Sequence, residues 1–92
     1  MVYMYQDNME TVERIQTGVR LERRTLKVLK ALAESLDLSL GDLLEGIVLH
    51  AFEGKAPFGE KTQQQIALLK QVYGLTLTAA DSHRLSEADA VS

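Results

Sequence analysis

The chain has 92 residues, of which 46% are hydrophobic and none is cysteine, and its formal net charge is −3. A chain of this length forms one domain with a small core, so that assembly with a second chain would add to its stability. The absence of cysteine excludes a disulfide framework, thiolate metal sites and a cysteine nucleophile, and it is typical of a reducing cytoplasm.

Residues 1–12 are predicted to form a flexible N-terminal arm, because chain ends are disordered unless they are tied down. The apolar run from Val2 to Tyr5 leaves a short edge strand as the alternative, in which Tyr3 and Tyr5 would stack or pack. The arm lacks the basic and apolar regions of a signal peptide, and no apolar run in the chain reaches transmembrane length. We therefore expect a cytoplasmic protein with no membrane partner.

The segment Arg14–Leu21 alternates between apolar and polar residues. Alternation at a period of two residues predicts a half-buried β-strand whose polar face meets solvent. The face expected to be buried comprises Ile15, Thr17, Val19 and Leu21, and the polar face comprises Arg14, Gln16, Gly18 and Arg20.

This predicted strand has no obvious partner within its own chain. The other β-like runs, Val2–Tyr5 and Leu75–Thr78, are short. The backbone N–H and C=O groups of a strand need partners, and two identical antiparallel strands related by a two-fold axis supply them to each other. The sequence therefore predicts an obligate homodimer.

A first helix is predicted over Glu22–Leu36 and a second from about Leu40 to Glu53. Ser39 is a favourable N-cap for the second helix, with Asp42 three residues later. Each helix has an apolar face, and that of the second is wide enough for both the first helix and a partner subunit. The first face comprises Leu26, Leu29, Ala33 and Leu36, flanked by Val28 and Leu32; the second comprises Leu40, Leu43, Leu44, Ile47, Val48, Ala51 and Phe52.

Residues 55–92 are predicted to form a C-terminal extension. A third helix over Glu60–Tyr73 is expected to pack on the core and to end at Gly74. Thr78 is expected to cap a last helical turn, and a polar tail follows.

The charge is unevenly distributed along the chain. Residues 14–30 carry six basic residues and one acidic residue, whereas residues 31–92 carry four basic and nine acidic residues. The basic cluster coincides with the polar face of the predicted strand and the start of the first helix. A polyanion responds to such a local patch more than to the net charge, although a mixed-charge chain also forms clusters by chance.

The order of strand, helix, turn and helix, with a basic strand face, resembles the ribbon-helix-helix (Arc/MetJ/CopG-like) family of DNA-binding proteins. The resemblance covers about residues 13–54 and rests on Gly18-Val19-Arg20-Leu21, the apolar spacing of the first helix, the turn Leu38–Leu44 and Ile47-Val48. Members of this family place a two-chain antiparallel β-ribbon in the DNA major groove. The resemblance implies a mostly α fold, a ribbon-helix-helix dimer that binds double-stranded DNA sequence-specifically as a transcriptional repressor. The predicted additional C-terminal helix lies beyond the family unit, and the resemblance implies no function for it.

The resemblance also implies roles for individual residues. Outward side chains of the ribbon would read bases, since arginine can donate to guanine and glutamine to adenine, and the start of the second helix would bind a phosphate. The base-reading positions are Gln16, Gly18 and Arg20, and the phosphate-binding positions are Arg14, Arg23, Lys27, Ser39, Leu40 and Gly41. Two features depart from this pattern: Gly18 has no side chain, and Asp42 and Glu45 would repel phosphate.

Two other classes of function are alternatives to DNA binding. A protein-interaction module, antitoxin-like or an adaptor, would use the same dimer and present residues 55–92 to a protein partner. An enzyme is not expected, because no nucleophile–base pair, metal cluster or phosphate loop is visible. His83 with Asp81 is too isolated to predict a metal site, and His50 is interpreted as a surface or interface histidine. No cofactor is predicted.

Overall fold

The computed structural model describes residues 10–87, and this part of the chain is mostly helical, as predicted. Its three α-helices are α1 (Arg23–Ser35), α2 (Leu40–Phe52) and α3 (Glu60–Tyr73), and a short 3₁₀ turn follows at Ala79–Asp81. The bounds of each helix lie within one residue of those predicted from the sequence. The predicted N-terminal arm falls outside the described residues, apart from its last three positions.

No β-strand occurs within residues 10–87. The predicted strand at Arg14–Leu21 belongs to no regular element in this single chain. A strand is assigned through hydrogen bonds to a neighbouring strand, and the partner expected here is a second copy of the chain. The β-ribbon therefore stays a prediction.

Side chains cap the starts of the first two helices. The Ser39 hydroxyl accepts a hydrogen bond from the N–H of Asp42 over 3.1 Å, which confirms the predicted N-cap of α2. The Glu22 carboxylate accepts one from the N–H of Thr25 over 2.9 Å. Glu22 is thus the N-cap of α1. The sequence predicts Glu22 as the first residue within the helix, so this helix begins one residue later than predicted.

Glycines follow the ends of α2 and α3. Gly54 has a φ of +70° and Gly74 a φ of +68°, in the left-handed region that glycine adopts without a steric cost. The helix ends predicted at these two glycines are confirmed. Thr78 is the N-cap residue of the 3₁₀ turn, as predicted, and its N–H donates a hydrogen bond to the carboxylate of Asp81.

The core forms around α1, which packs against both other helices. The predicted apolar stripe of α1 is only partly correct, because Leu36 remains 36% exposed while the flanking Leu32 is 2% exposed. Burial extends beyond a single stripe because α1 has two helical neighbours. The buried residues are Val28, Leu32, Ala33 and Leu43, and Leu29, Ile47, Phe58, Ile66 and Leu69 pack around them.

Helices α1 and α3 run antiparallel. The Arg24 guanidinium at the start of α1 donates a hydrogen bond to the carbonyl oxygen of Gly74, at the end of α3, over 3.0 Å. The Gln65 amide in α3 donates one to the hydroxyl of Ser35, at the end of α1, over 2.6 Å. These contacts, with Ile66 and Leu69 packed against the buried residues, confirm the prediction that the third helix packs on the core. No helix within residues 10–87 is long and apolar enough to cross a membrane.

Candidate nucleic-acid interface

The segment that precedes α1 borders an open groove of about 1070 Å³. Residues 13–19 and Leu21 form one side of this groove, and residues of α1 and α2 form the other. The helix residues that line it are Leu26, Lys30, Leu40, Gly41, Leu44 and Glu45.

The apolar residues of this segment are exposed in the single chain. Ile15 is 82% exposed and Val19 is 71% exposed. Within the described part of the chain, residues 10–21 form no backbone–backbone hydrogen bond. A segment of alternating apolar residues with free backbone groups can gain both burial and hydrogen bonds from another chain.

Helix α2 carries an apolar row that begins in the groove and continues beyond it. Residues four positions apart share a helix face, and Leu40, Leu44, Val48 and Phe52 have this spacing. The first two line the groove, whereas Val48 is 42% exposed and Phe52 is 81% exposed. Exposed or half-buried apolar side chains therefore occur both on the segment and along the row of α2 that begins in the groove.

Arg14 is held by carboxylates of α2. Its Nη1 atom lies 2.5 Å from Oε1 of Glu45, and its Nη2 atom lies 3.8 Å from Oδ1 of Asp42. The hydrogen bond to Glu45 and the charges of both carboxylates raise the pKa of Arg14. The residue that the sequence assigned to a DNA phosphate thus has two anionic partners within its own chain.

Arg20 and Lys27 also make contacts within the chain. The Arg20 guanidinium forms an ion pair with the carboxylate of Glu87, in the C-terminal tail, and its side chain remains 78% exposed. The Lys27 ammonium lies 5.9 Å from the centre of the Tyr73 ring, a favourable cation–π distance. Arg23 is exposed at the first position of α1.

The remaining candidates lie on the segment and at the start of α2. Gln16 and Gly18 are exposed and border the groove, together with Leu40 and Gly41. A Cβ atom added to Gly18 would meet nothing within 4 Å, so the single chain has no steric need for glycine there. Ser39 caps α2 from outside the groove.

The structure thus brings some predicted site residues together and leaves others apart. Arg14, Gln16, Gly18, Leu40 and Gly41 border one groove, whereas Arg20, Arg23, Lys27 and Ser39 do not. The sequence did not single out the pairing of Arg14 with Glu45 or of Arg20 with Glu87. The residues of the first pair are 31 positions apart and those of the second are 67 positions apart, and no local sequence pattern signals such a contact.

Asp81 has a structural role in the described chain. Its carboxylate accepts a hydrogen bond from the N–H of Thr78 over 2.8 Å, which engages it in the cap of the 3₁₀ turn. Among residues 10–87 no group of three or more histidine, cysteine or acidic side chains could hold a metal ion.

Comparisons of the chain with protein-family models, with curated proteins and with solved structures found no match.

Proposed function

We propose that the chain is a homodimer that binds double-stranded DNA through a two-stranded β-ribbon and acts as a transcriptional repressor. In this proposal, residues 14–21 of two copies pair antiparallel, and the α2 helices pack beneath them. The observation that carries the proposal is the exposure of Ile15 and Val19 beside the groove, together with the incompletely buried apolar row of α2 from Leu40 to Phe52.

A second copy of the chain suits this surface better than an unrelated partner. The segment offers backbone hydrogen-bonding groups in an alternating sequence, and an identical antiparallel segment is complementary to it under two-fold symmetry. Pairing would leave Gln16, Gly18 and Arg20 together on the opposite face of the ribbon, because side chains alternate across a strand.

The charge distribution supports DNA as the ligand of that face. Six of the ten basic residues lie between positions 14 and 30, in the segment and along α1. The ribbon would read base edges through Arg20 and Gln16, while Arg23 and Lys27 would lie near the sugar–phosphate backbone.

The test is binding of the purified chain to mixed-sequence duplex DNA, measured by fluorescence anisotropy over a salt series. We expect affinity to fall steeply with salt, because phosphate contacts release counterions. Arg20→Gln should weaken binding, whereas Arg84→Gln removes the same charge from the tail and should leave it close to wild type. Absence of binding at low salt would contradict the proposal.

A second candidate function is a protein-interaction module, antitoxin-like or an adaptor, on the same dimer. The observation that favours it is a separate exposed apolar set on the C-terminal extension, with Leu68 at 63%, Val72 at 71% and Leu85 at 56% exposure. A protein partner that remains bound to Arg20→Gln but is lost with Leu68→Glu would support this function.

A further inference from the structure

We propose that Arg14 is a positioning residue that fixes the DNA-reading segment on α2, and that it does not bind a DNA phosphate. The inference rests on the proposed function and assigns one determinant of it. It starts from the geometry of Arg14, Asp42 and Glu45, which brings the segment and the first two turns of α2 together.

The two carboxylates form a receptor for one guanidinium group. Asp42 and Glu45 are three positions apart on α2 and therefore lie on the same side of the helix. The Arg14 guanidinium lies 2.5 Å from the carboxylate of Glu45 and 3.8 Å from that of Asp42. A phosphate that approached this guanidinium would also approach both carboxylates, whose repulsion offsets the attraction of the arginine.

The segment needs such a contact, because its backbone offers none. Within residues 10–87 the backbone of residues 10–21 forms no hydrogen bond to the helices. The ion pair with Glu45 is therefore a polar link between the first half of the segment and α2. Arg14 lies two positions before Gln16, and both border the groove with Gly41. The link thus sets the distance between a base-reading side chain and the start of α2.

Substitution of Glu45 separates the two roles of Arg14, because they predict opposite changes. If Arg14 bound phosphate, Glu45→Gln would free it and remove a repulsive charge, so DNA affinity would rise. If Arg14 positions the segment, Glu45→Gln lowers affinity, by up to about fivefold for an exposed ion pair. Glu34→Gln removes the same charge from the outer side of α1 and serves as the matched control.

Exchanging the charges of Arg14 and Glu45 provides a second test. Arg14→Glu alone should weaken DNA binding under either role. The double variant Arg14→Glu with Glu45→Arg rebuilds the ion pair with reversed polarity, and a positioning role predicts that affinity returns toward wild type. A phosphate role predicts no recovery, because the position that would meet the phosphate remains anionic.

Amide hydrogen exchange of residues 13–21, without DNA, tests the link independently of DNA binding, because the proposed pairing of two segments would protect these amides. We expect faster exchange in Glu45→Gln, unchanged exchange in Glu34→Gln, and slower exchange again in the charge-exchanged variant. If exchange responds in this way but no variant binds DNA, the DNA function fails and the link stands. If Glu45→Gln leaves exchange unchanged, or raises DNA affinity, the inference is overturned.

Discussion

The guanidinium of Arg24 joins the start of α1 to the end of α3 through a hydrogen bond of 3.0 Å to the carbonyl oxygen of Gly74, 50 positions further along. The same guanidinium donates to the Glu22 carboxylate over 2.9 Å. A cation at a helix C-terminus is favourable because the last carbonyl groups carry partial negative charge. Arg24 thereby couples the cap of α1 to the docking of α3.

The left-handed backbone of Gly74 makes this helix end sensitive to substitution. Gly74→Ala should lower the free energy of unfolding by about 1–2 kcal/mol, because a Cβ atom is disfavoured at a φ of +68°. Gly46→Ala is the control, since it lies inside α2, where an added Cβ meets nothing within 4 Å and alanine is the better helix former. Urea unfolding measures both variants, and equal destabilisation by the two would contradict the explanation.

The sequence predicts the local structure of this chain well. Apolar residues at helical spacing, the hydroxyl of Ser39, and the glycines at positions 54 and 74 act within a few residues of one another. Their effects on the backbone therefore do not depend on the rest of the fold, and the three helices are found where they were expected.

The contacts of the candidate site could not be predicted in the same way. Arg14 and Arg20 contact residues that lie 31 and 67 positions further along the chain, and only the packing of the helices and the tail brings these residues close. Whether the alternating segment forms a β-strand also depends on a second chain, because the backbone of a strand needs hydrogen bonds to a neighbouring strand. Leu36 shows a related limit, since spacing identifies an apolar face but not how far each neighbouring helix covers it.

Stability at acid pH should depend on Glu22. Hydrogen bonds from Arg24 and Thr25 lower the pKa of its carboxyl to about 2 in the folded chain. Since this pKa lies below that of the unfolded chain, the stabilisation is fully present above about pH 4.5 and is lost as the pH falls toward 2. Unfolding experiments across this range should show a smaller loss for Glu22→Gln than for wild type. Parallel pH profiles for the two proteins would contradict this role of Glu22.

The proposed dimer predicts different effects for two equivalent substitutions on α2 and α3. Phe52 is 81% exposed at the end of the α2 row, and Leu68 is 63% exposed on α3. Phe52→Glu should shift the mass measured by light scattering from dimer toward monomer, because it buries a charge in the proposed interface. Leu68→Glu should retain the dimer. A monomeric wild type, or dissociation by both variants, would contradict the proposed arrangement.

The acidic tail should reduce DNA binding through its contact with Arg20. Under the proposed function, a base edge and the Glu87 carboxylate compete for the same guanidinium. Glu87→Gln should therefore raise DNA affinity by up to about fivefold at low salt, the range expected of an exposed ion pair, and by less at high salt. The matched measurement repeats Glu87→Gln in an Arg20→Gln background, where the gain should disappear. If it persists there, the tail acts by general repulsion of the polyanion and not through Arg20.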